Sequence, residues 1–211
     1  MIKFKIYIII CLFIAISSCN GQQKVITTQN KEVMAERLDF ELLEQNAKKE
    51  VENGIISYYW KFVTEDGTEI EIDGSTEKGF NEKQFPPKPA FYYISKDYYP
   101  NGYLRSKGKR MGDGATMVGE WEFYNKKGEL VGKINFDEHY DQFGYNELLQ
   151  FLHQEGHINL ETGENREKVS FGYEDKKWWV SINIVRPWRT EYEIDGKTGE
   201  VLNKKTFRLK H

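Results

Sequence analysis

Short β-rich runs separated by glycine-containing turns occupy most of the chain, and they restrict its fold more than any other feature. Between Ile55 and Asp73, two runs of β-branched and aromatic residues flank Asp66-Gly67, a dipeptide that strongly favours a hairpin turn. In the second run, Ile70 and Ile72 alternate with acidic residues, which predicts one buried and one solvated face. The pattern therefore predicts antiparallel hairpins.

The same pattern predicts further strands towards the C-terminus and the loops that separate them. We expect strands at residues 91–99, 103–111, 120–124, 129–136, 169–173, 178–185, 189–194 and 201–209. Residues 75–89 are predicted to be a loop, because Pro86, Pro87 and Pro89 cannot take part in regular pairing. Residues 112–119 are also predicted to be a loop, because they contain several glycines.

Two segments have the spacing of amphipathic helices. Residues 31–52 place apolar side chains such as Leu38 and Leu42 every four residues, and Asn53-Gly54 would end that helix. Residues 145–156 form a shorter apolar stripe with Asn146 as its cap. The predicted fold class is α+β: antiparallel β-hairpins with an N-terminal helix, followed by a helix packed on an antiparallel sheet.

The first residues have the layout of an export signal. Lys3 and Lys5 precede an uncharged apolar run from Ile6 to Ile16, and two serines then precede Cys19. The apolar run is shorter than the roughly 20 residues that a bilayer-spanning helix needs. The alternatives are an ordinary cleaved signal and an uncleaved N-terminal helix.

The residues from Ile16 to Cys19 resemble a lipobox, the motif recognised by the lipoprotein signal peptidase. The resemblance implies that residues 1–18 are a signal peptide and that Cys19, acylated, anchors the chain to the lipid bilayer. Two or more acyl chains anchor a protein stably in the bilayer, where a single chain would not, because each buried CH₂ contributes roughly 0.8 kcal/mol. Residues 19–30 are polar and predict a tether. An Asp directly after the cysteine would signal retention in the inner membrane. Asn20 occupies this position, so we expect the protein in the outer membrane, facing the periplasm.

Composition excludes some classes of function. The formal net charge is −3 and the chain has no block of basic residues, so we expect no nucleic acid partner. Cys11 lies in the apolar run, and no cysteine follows Cys19. The folded part is therefore expected to contain neither a disulfide nor a catalytic thiol.

Residues 91–136, within a predicted helix-plus-hairpin region of residues 31–136, contain two related turns. Gly119, Trp121, Tyr124, Gly128 and Leu130 resemble the G-x-W-x-x-Y-x-x-x-G-x-L pattern of the MORN-variant repeat in YwqK-type antitoxins. A second copy, taken as Tyr99 to Leu104, has a turn one residue shorter and lacks the Gly-x-Trp lead. The resemblance implies a hairpin and, for function, an antitoxin-like role.

Residues 145–209 resemble a second family. A helix is followed by Trp178-Trp179 and by the segment from Tyr192 to Leu202, which resembles the Y-x-I-D-x-x-T-G-E-V-L ending of PepSY-type units. The resemblance implies one helix packed on an antiparallel sheet. Units of this family occur in exported and membrane proteins, often as inhibitory or protein-contacting modules.

Catalytic and metal sites have little support in the sequence. His153 and His157 are four residues apart, but the segment is not an HExxH motif, and Gly156 interrupts the helix before His157. No serine lies in a nucleophile elbow, and no phosphate-binding loop is present. We therefore expect no catalytic residue, no metal site and no cofactor.

The aromatic residues of the tail are candidates for contact with a protein partner. Trp178 and Trp179 are neighbours on a predicted strand, so one is expected in the core and the other at the surface. Trp179, Arg186, Trp188 and Arg189 are the candidate partner-binding residues, since Trp and Arg are enriched in binding hot spots. The alternative is a cation–π pair that stabilises the turn at Pro187.

These patterns together favour a non-catalytic, membrane-anchored lipoprotein that binds a protein partner. Its most concrete form is an immunity-type protein that neutralises a toxin. The alternative is a structural or assembly lipoprotein of the cell envelope. An enzyme is the third hypothesis, and the absence of nucleophile and metal motifs disfavours it.

Overall fold

A computed structural model describes residues 36–112, 116–183 and 186–209 of the chain, and all of them fall in one compact unit. The predicted signal peptide, the tether and Cys19 lie outside these ranges. Within them, no helix is long and apolar enough to cross a membrane.

The first eight strands form one antiparallel sheet in which each strand pairs with its neighbour along the chain. This meander arises because consecutive runs are joined by short turns, and short turns join antiparallel strands. The strands are β1 (Lys48–Glu52), β2 (Ile55–Val63), β3 (Glu69–Ser75), β4 (Gly79–Phe85), β5 (Tyr92–Tyr98), β6 (Leu104–Met111), β7 (Thr116–Tyr124) and β8 (Leu130–Asn135).

A second antiparallel sheet has four strands in the order β12-β11-β10-β9. They are β9 (Val169–Glu174), β10 (Lys177–Ile182), β11 (Trp188–Asp195) and β12 (Val201–Arg208). The helices are α1 (Phe40–Asn46) and α2 (Tyr145–Gln154), with 3₁₀ turns at Phe136–His139 and Arg166–Lys168. The α+β fold class is confirmed, as are the hairpin at Asp66-Gly67 and the helix before the second sheet.

Two hydrophobic clusters form the core. In the first, α1 covers part of one face of the eight-stranded sheet, with Leu43 buried among aromatic and aliphatic side chains. In the second, α2 inserts Leu148 and Leu152 against the inner face of the four-stranded sheet. Met111 and Val118 of the first sheet belong to this second cluster, so the two sheets share a core.

Two hairpins of the first sheet are structural repeats of each other. In both, the backbone closes over a turn whose glycine has a positive φ, 83° at Gly102 and 84° at Gly128. Tyr98 pairs with Leu104, and Tyr124 pairs with Leu130. The counterpart of Tyr124 is therefore Tyr98 and not Tyr99, and the two turns have the same length.

The helix predicted at residues 31–52 is wrong over most of its described length. Only α1 is helical, and Lys48–Glu52 is a strand paired with β2. Asn53 and Gly54 both have positive φ, 50° and 80°, and form a two-residue hairpin turn instead of ending a helix. Sheet pairing outweighs the helical spacing, since local propensity contributes less than tertiary contacts.

Two predicted loops contain strand residues. β4 lies inside residues 75–89, because the three prolines all follow its last residue, Phe85, and leave its pairing intact. β7 begins at Thr116, inside residues 112–119, of which 113–115 lie outside the described residues. Gly119 has a φ of 65° where the pairing of β7 with β6 is irregular, so this glycine marks a bulge within the strand and not a loop.

The cap of α2 also differs from the prediction. The helix begins after Gly144, and the backbone N–H of Gly144 donates to Glu147 Oε2 at 3.1 Å. Asn146 therefore lies within the first turn and is not the cap.

Candidate binding surfaces

Strand β8 is an open edge of the eight-stranded sheet. Among the described strands it pairs only with β7, and all six of its residues are exposed. Three of them are large and apolar: Leu130, Val131 and Ile134 are 46%, 62% and 43% exposed. The chain leaves the sheet directly after β8 because Asn135 caps the 3₁₀ turn, its Oδ1 accepting from the backbone of Asp137 at 3.2 Å.

The apolar side chains of β8 lie on both faces of the strand. Ile134 pairs with Trp121 and Lys133 with Glu122, so these two positions face opposite ways. Leu130 pairs with Tyr124, which lies two residues from Glu122 on β7, so Leu130 shares the face of Lys133. The open backbone of β8 is thus bordered by an apolar side chain on each face.

The opposite edge of the same sheet is built differently. β1 also presents an exposed apolar residue, Val51, but its other four residues are Lys48, Lys49, Glu50 and Glu52. Charged residues along an edge strand oppose pairing with another chain. β8 carries only one charge, Lys133, and its ammonium contacts Glu120 and Glu122 within 3 Å. Of these two edges, β8 is therefore the one open to a partner strand.

The structure confirms that Trp178 and Trp179 face opposite ways. Trp178 is fully buried against α2, and its Nε1 donates to the carbonyl of Phe143 at 2.7 Å. Trp179 is on the outer face of the four-stranded sheet and is 47% exposed.

The four candidate partner-binding residues do not share one surface. Trp188, 49% exposed, is four residues from the buried Tyr192 on β11 and shares its face, so it lies on the side of α2, opposite Trp179. Arg189 shares the outer face, where its Nε donates to Asn183 Oδ1 at 2.9 Å. Arg186 is exposed in the turn before β11. Among the described residues, no cation–π contact involves Trp188.

A cavity of about 460 Å³ lies on the outer face beside Trp179. Its lining comes from all four strands of the second sheet. The side chains that the outer face contributes are small, polar or charged apart from the indole: Ser170, Gly172, Trp179, Ser181, Glu191, Glu193, Asn203 and Lys205.

The two histidines at the end of α2 have protein partners. A ring nitrogen of His153 lies 3.2 Å from the carbonyl oxygen of Ile158. His157 Nε2 lies 2.7 Å from the hydroxyl of Tyr192, and burial together with the nearby Lys204 lowers the pKa of His157. Within the described ranges, no group of three His, Cys, Asp or Glu side chains is placed to hold a metal ion.

The first sheet carries a partly buried ionic network that no pattern in the sequence predicts. Lys96 Nζ on β5 lies 3.2 Å from Glu82 on the adjoining β4, and 2.6 Å from Glu36, which precedes α1 and is 43% exposed. The Tyr98 hydroxyl donates to Glu82 Oε2 at 3.0 Å, and burial raises the pKa of Tyr98 well above its usual range. These groups therefore have partners within the protein.

Comparison of the chain with protein families, with curated proteins and with solved structures found no significant match to any of them.

Proposed function

We propose that this protein is a non-catalytic, membrane-anchored lipoprotein that binds a protein partner through the edge strand β8. The observation that supports the proposal is the exposure of Leu130, Val131 and Ile134 along a strand with one side that no other described strand pairs with. An exposed apolar edge strand is a template for pairing with an extended segment of another chain.

Edge pairing combines two contributions to affinity. Backbone hydrogen bonds hold the added strand, and the side chains on either face select it. Burying the parts of Val131 and Ile134 that remain exposed, 62% and 43%, would contribute about 0.5–2 kcal/mol each. Ordering the partner segment offsets part of this gain, so we expect moderate intrinsic affinity.

The proposed lipid anchor at Cys19 complements such an edge. Tethering holds the domain at the membrane, where an incoming partner meets a high local concentration. Mass spectrometry of the protein isolated from cells tests the anchor. We expect a first residue of Cys19 carrying acyl chains, and an unmodified Cys19 or a retained Met1 would contradict it.

The partner class that we place first is a secreted toxin, which would make this protein an immunity lipoprotein. This choice depends on the antitoxin-like pattern from Gly119 to Leu130. Deleting the gene and challenging the cells with a toxin-producing competitor tests it. Reduced survival supports immunity, whereas unchanged survival together with capture of an abundant envelope protein supports the assembly role.

Edge docking is tested by comparing two variants in a pull-down from detergent-solubilised envelope. Ile134→Lys places a charge on the apolar edge, and Val51→Lys places the same charge at the exposed, already charged edge β1. We expect the captured protein to be lost with Ile134→Lys and retained with Val51→Lys. Equal retention by both variants would contradict docking at β8.

A second copy of the chain is the other possible occupant of β8. Sedimentation of the purified protein distinguishes it from a foreign partner. A dimer that dissociates in Ile134→Lys, with no other protein captured, would show that the edge mediates self-association and would overturn the proposal.

A further inference from the structure

The outer face of the four-stranded sheet contains a cavity that the proposed docking at β8 does not use. We propose that this cavity is a saccharide-binding site with the indole of Trp179 as its platform. It lies on a different sheet from β8, and its lining shares no residue with that strand.

The platform is open because its neighbours are small. Trp179 is directly opposite Gly172 on β9, and the next position on that face pairs Ser181 with Ser170. A Cβ built on Gly172 meets no atom within 4 Å. Gly172 therefore contributes no side chain that could cover the indole, and the half-exposed ring faces an accessible space.

Polar groups around the platform remain available to a ligand. The side chains of Ser170, Ser181 and Asn203 make no hydrogen bond to another residue within the described ranges, and neither does the ammonium of Lys205. Glu193 accepts from Lys177 at 2.6 Å, while Glu191 has only a long contact of 3.8 Å with Arg189. The cavity thus offers donors and acceptors on several sides.

This lining selects one class of ligand. One flat apolar ring among hydroxyl, amide and carboxylate groups suits a molecule with an apolar face and a rim of hydroxyl groups, which is the chemistry of a pyranose. An apolar ligand would bury the free polar groups without hydrogen-bond partners, which is unfavourable. Glu191 and Glu193 oppose an anionic ligand.

The size of the cavity agrees with this class. Its volume of about 460 Å³ lies within the 300–1,000 Å³ that is typical of small-molecule sites. The site is also open at its surface, so a short segment of a longer polysaccharide can enter without a free chain end.

Isothermal titration of the full chain with chitotetraose, cellotetraose and mannotetraose tests the inference. Trp179→Ala removes the platform, and Gly172→Leu adds a side chain to the space beside it, at a position where a Cβ meets no atom within 4 Å. The matched control is Trp188→Ala, which removes an indole of nearly equal exposure from the opposite face. Circular dichroism of each variant verifies that the fold is retained.

We expect at least one of the three saccharides to bind. Its Kd should rise about tenfold or more in Trp179→Ala and Gly172→Leu, and change less than about twofold in Trp188→Ala. Absence of binding to all three saccharides would overturn the inference. Equal weakening by Trp179→Ala and Trp188→Ala would overturn it as well, since the binding would then not depend on this cavity.

Discussion

The indole of Trp121 lies directly over Gly108, so closely that a Cβ on the glycine would be 2.3 Å from the ring. Trp121 is fully buried, and its Nε1 donates to the carbonyl of Lys109 at 3.1 Å. We expect Gly108→Ala to lower the free energy of unfolding by about 1–3 kcal/mol, because overpacking forces the ring or the strand to move. Urea unfolding measures this change.

Gly132 provides the control for that substitution. It also lies in a strand of the first sheet, but a Cβ there would meet no atom within 4 Å. Gly132→Ala should change the free energy of unfolding by less than about 0.5 kcal/mol. Equal effects of the two substitutions would contradict the packing argument.

Lys96 compensates two carboxylates in a largely buried network. Its side chain is 13% exposed and that of Glu82 is 10% exposed. Lys96→Met should destabilise the fold by about 3 kcal/mol, because Glu82 would keep its charge without its cationic partner. Lys133→Met, which removes a lysine that is 44% exposed, should cost less than about 1 kcal/mol in the same urea experiment.

Glu122 should make the fold sensitive to acid. Hydrogen bonds from Tyr124 and Lys133 lower the pKa of its carboxyl from 4.5 to about 2. A lowered folded-state pKa contributes stability above the unfolded value, and this stability is lost as the pH falls from about 4.5 towards 2. Because the side chain is 21% exposed, solvent screening reduces the contribution to about 1–2 kcal/mol.

Urea unfolding between pH 2 and 7 checks the role of Glu122. Glu122→Gln should flatten the dependence between pH 4.5 and 2, whereas Glu120→Gln, at a carboxylate that is 59% exposed, should leave it unchanged. Parallel curves for the wild type and Glu122→Gln would contradict the assignment.

His157 should make stability depend on pH in a less acidic range than Glu122 does. Burial lowers its pKa below 6.5, so the folded state favours the neutral ring that contacts the Tyr192 hydroxyl. The unfolded state binds more protons in this range, so stability should decrease as the pH falls below 6.5. The imidazole resonances in an NMR titration measure the pKa, and a midpoint at or above 6.5 would contradict the prediction.

The sequence alone determined the local features of this protein. Asp66-Gly67 specifies a hairpin because glycine adopts the positive φ that the turn needs, 85° here. The doublet Trp178-Trp179 specifies one buried and one exposed indole, because alternate residues of a strand face opposite sides. Such features depend on neighbours in the chain, so they can be inferred from composition and spacing.

Tertiary structure decided what depends on distant residues. Lys48–Glu52 has the apolar spacing of a helix, but it is a strand because its backbone pairs with that of β2. β8 is open because no further strand of the described ranges pairs with it in the sheet. The cavity at Trp179 exists because register places Gly172 opposite the indole. These outcomes depend on backbone pairing and register between strands, which the spacing of apolar residues within one strand does not specify.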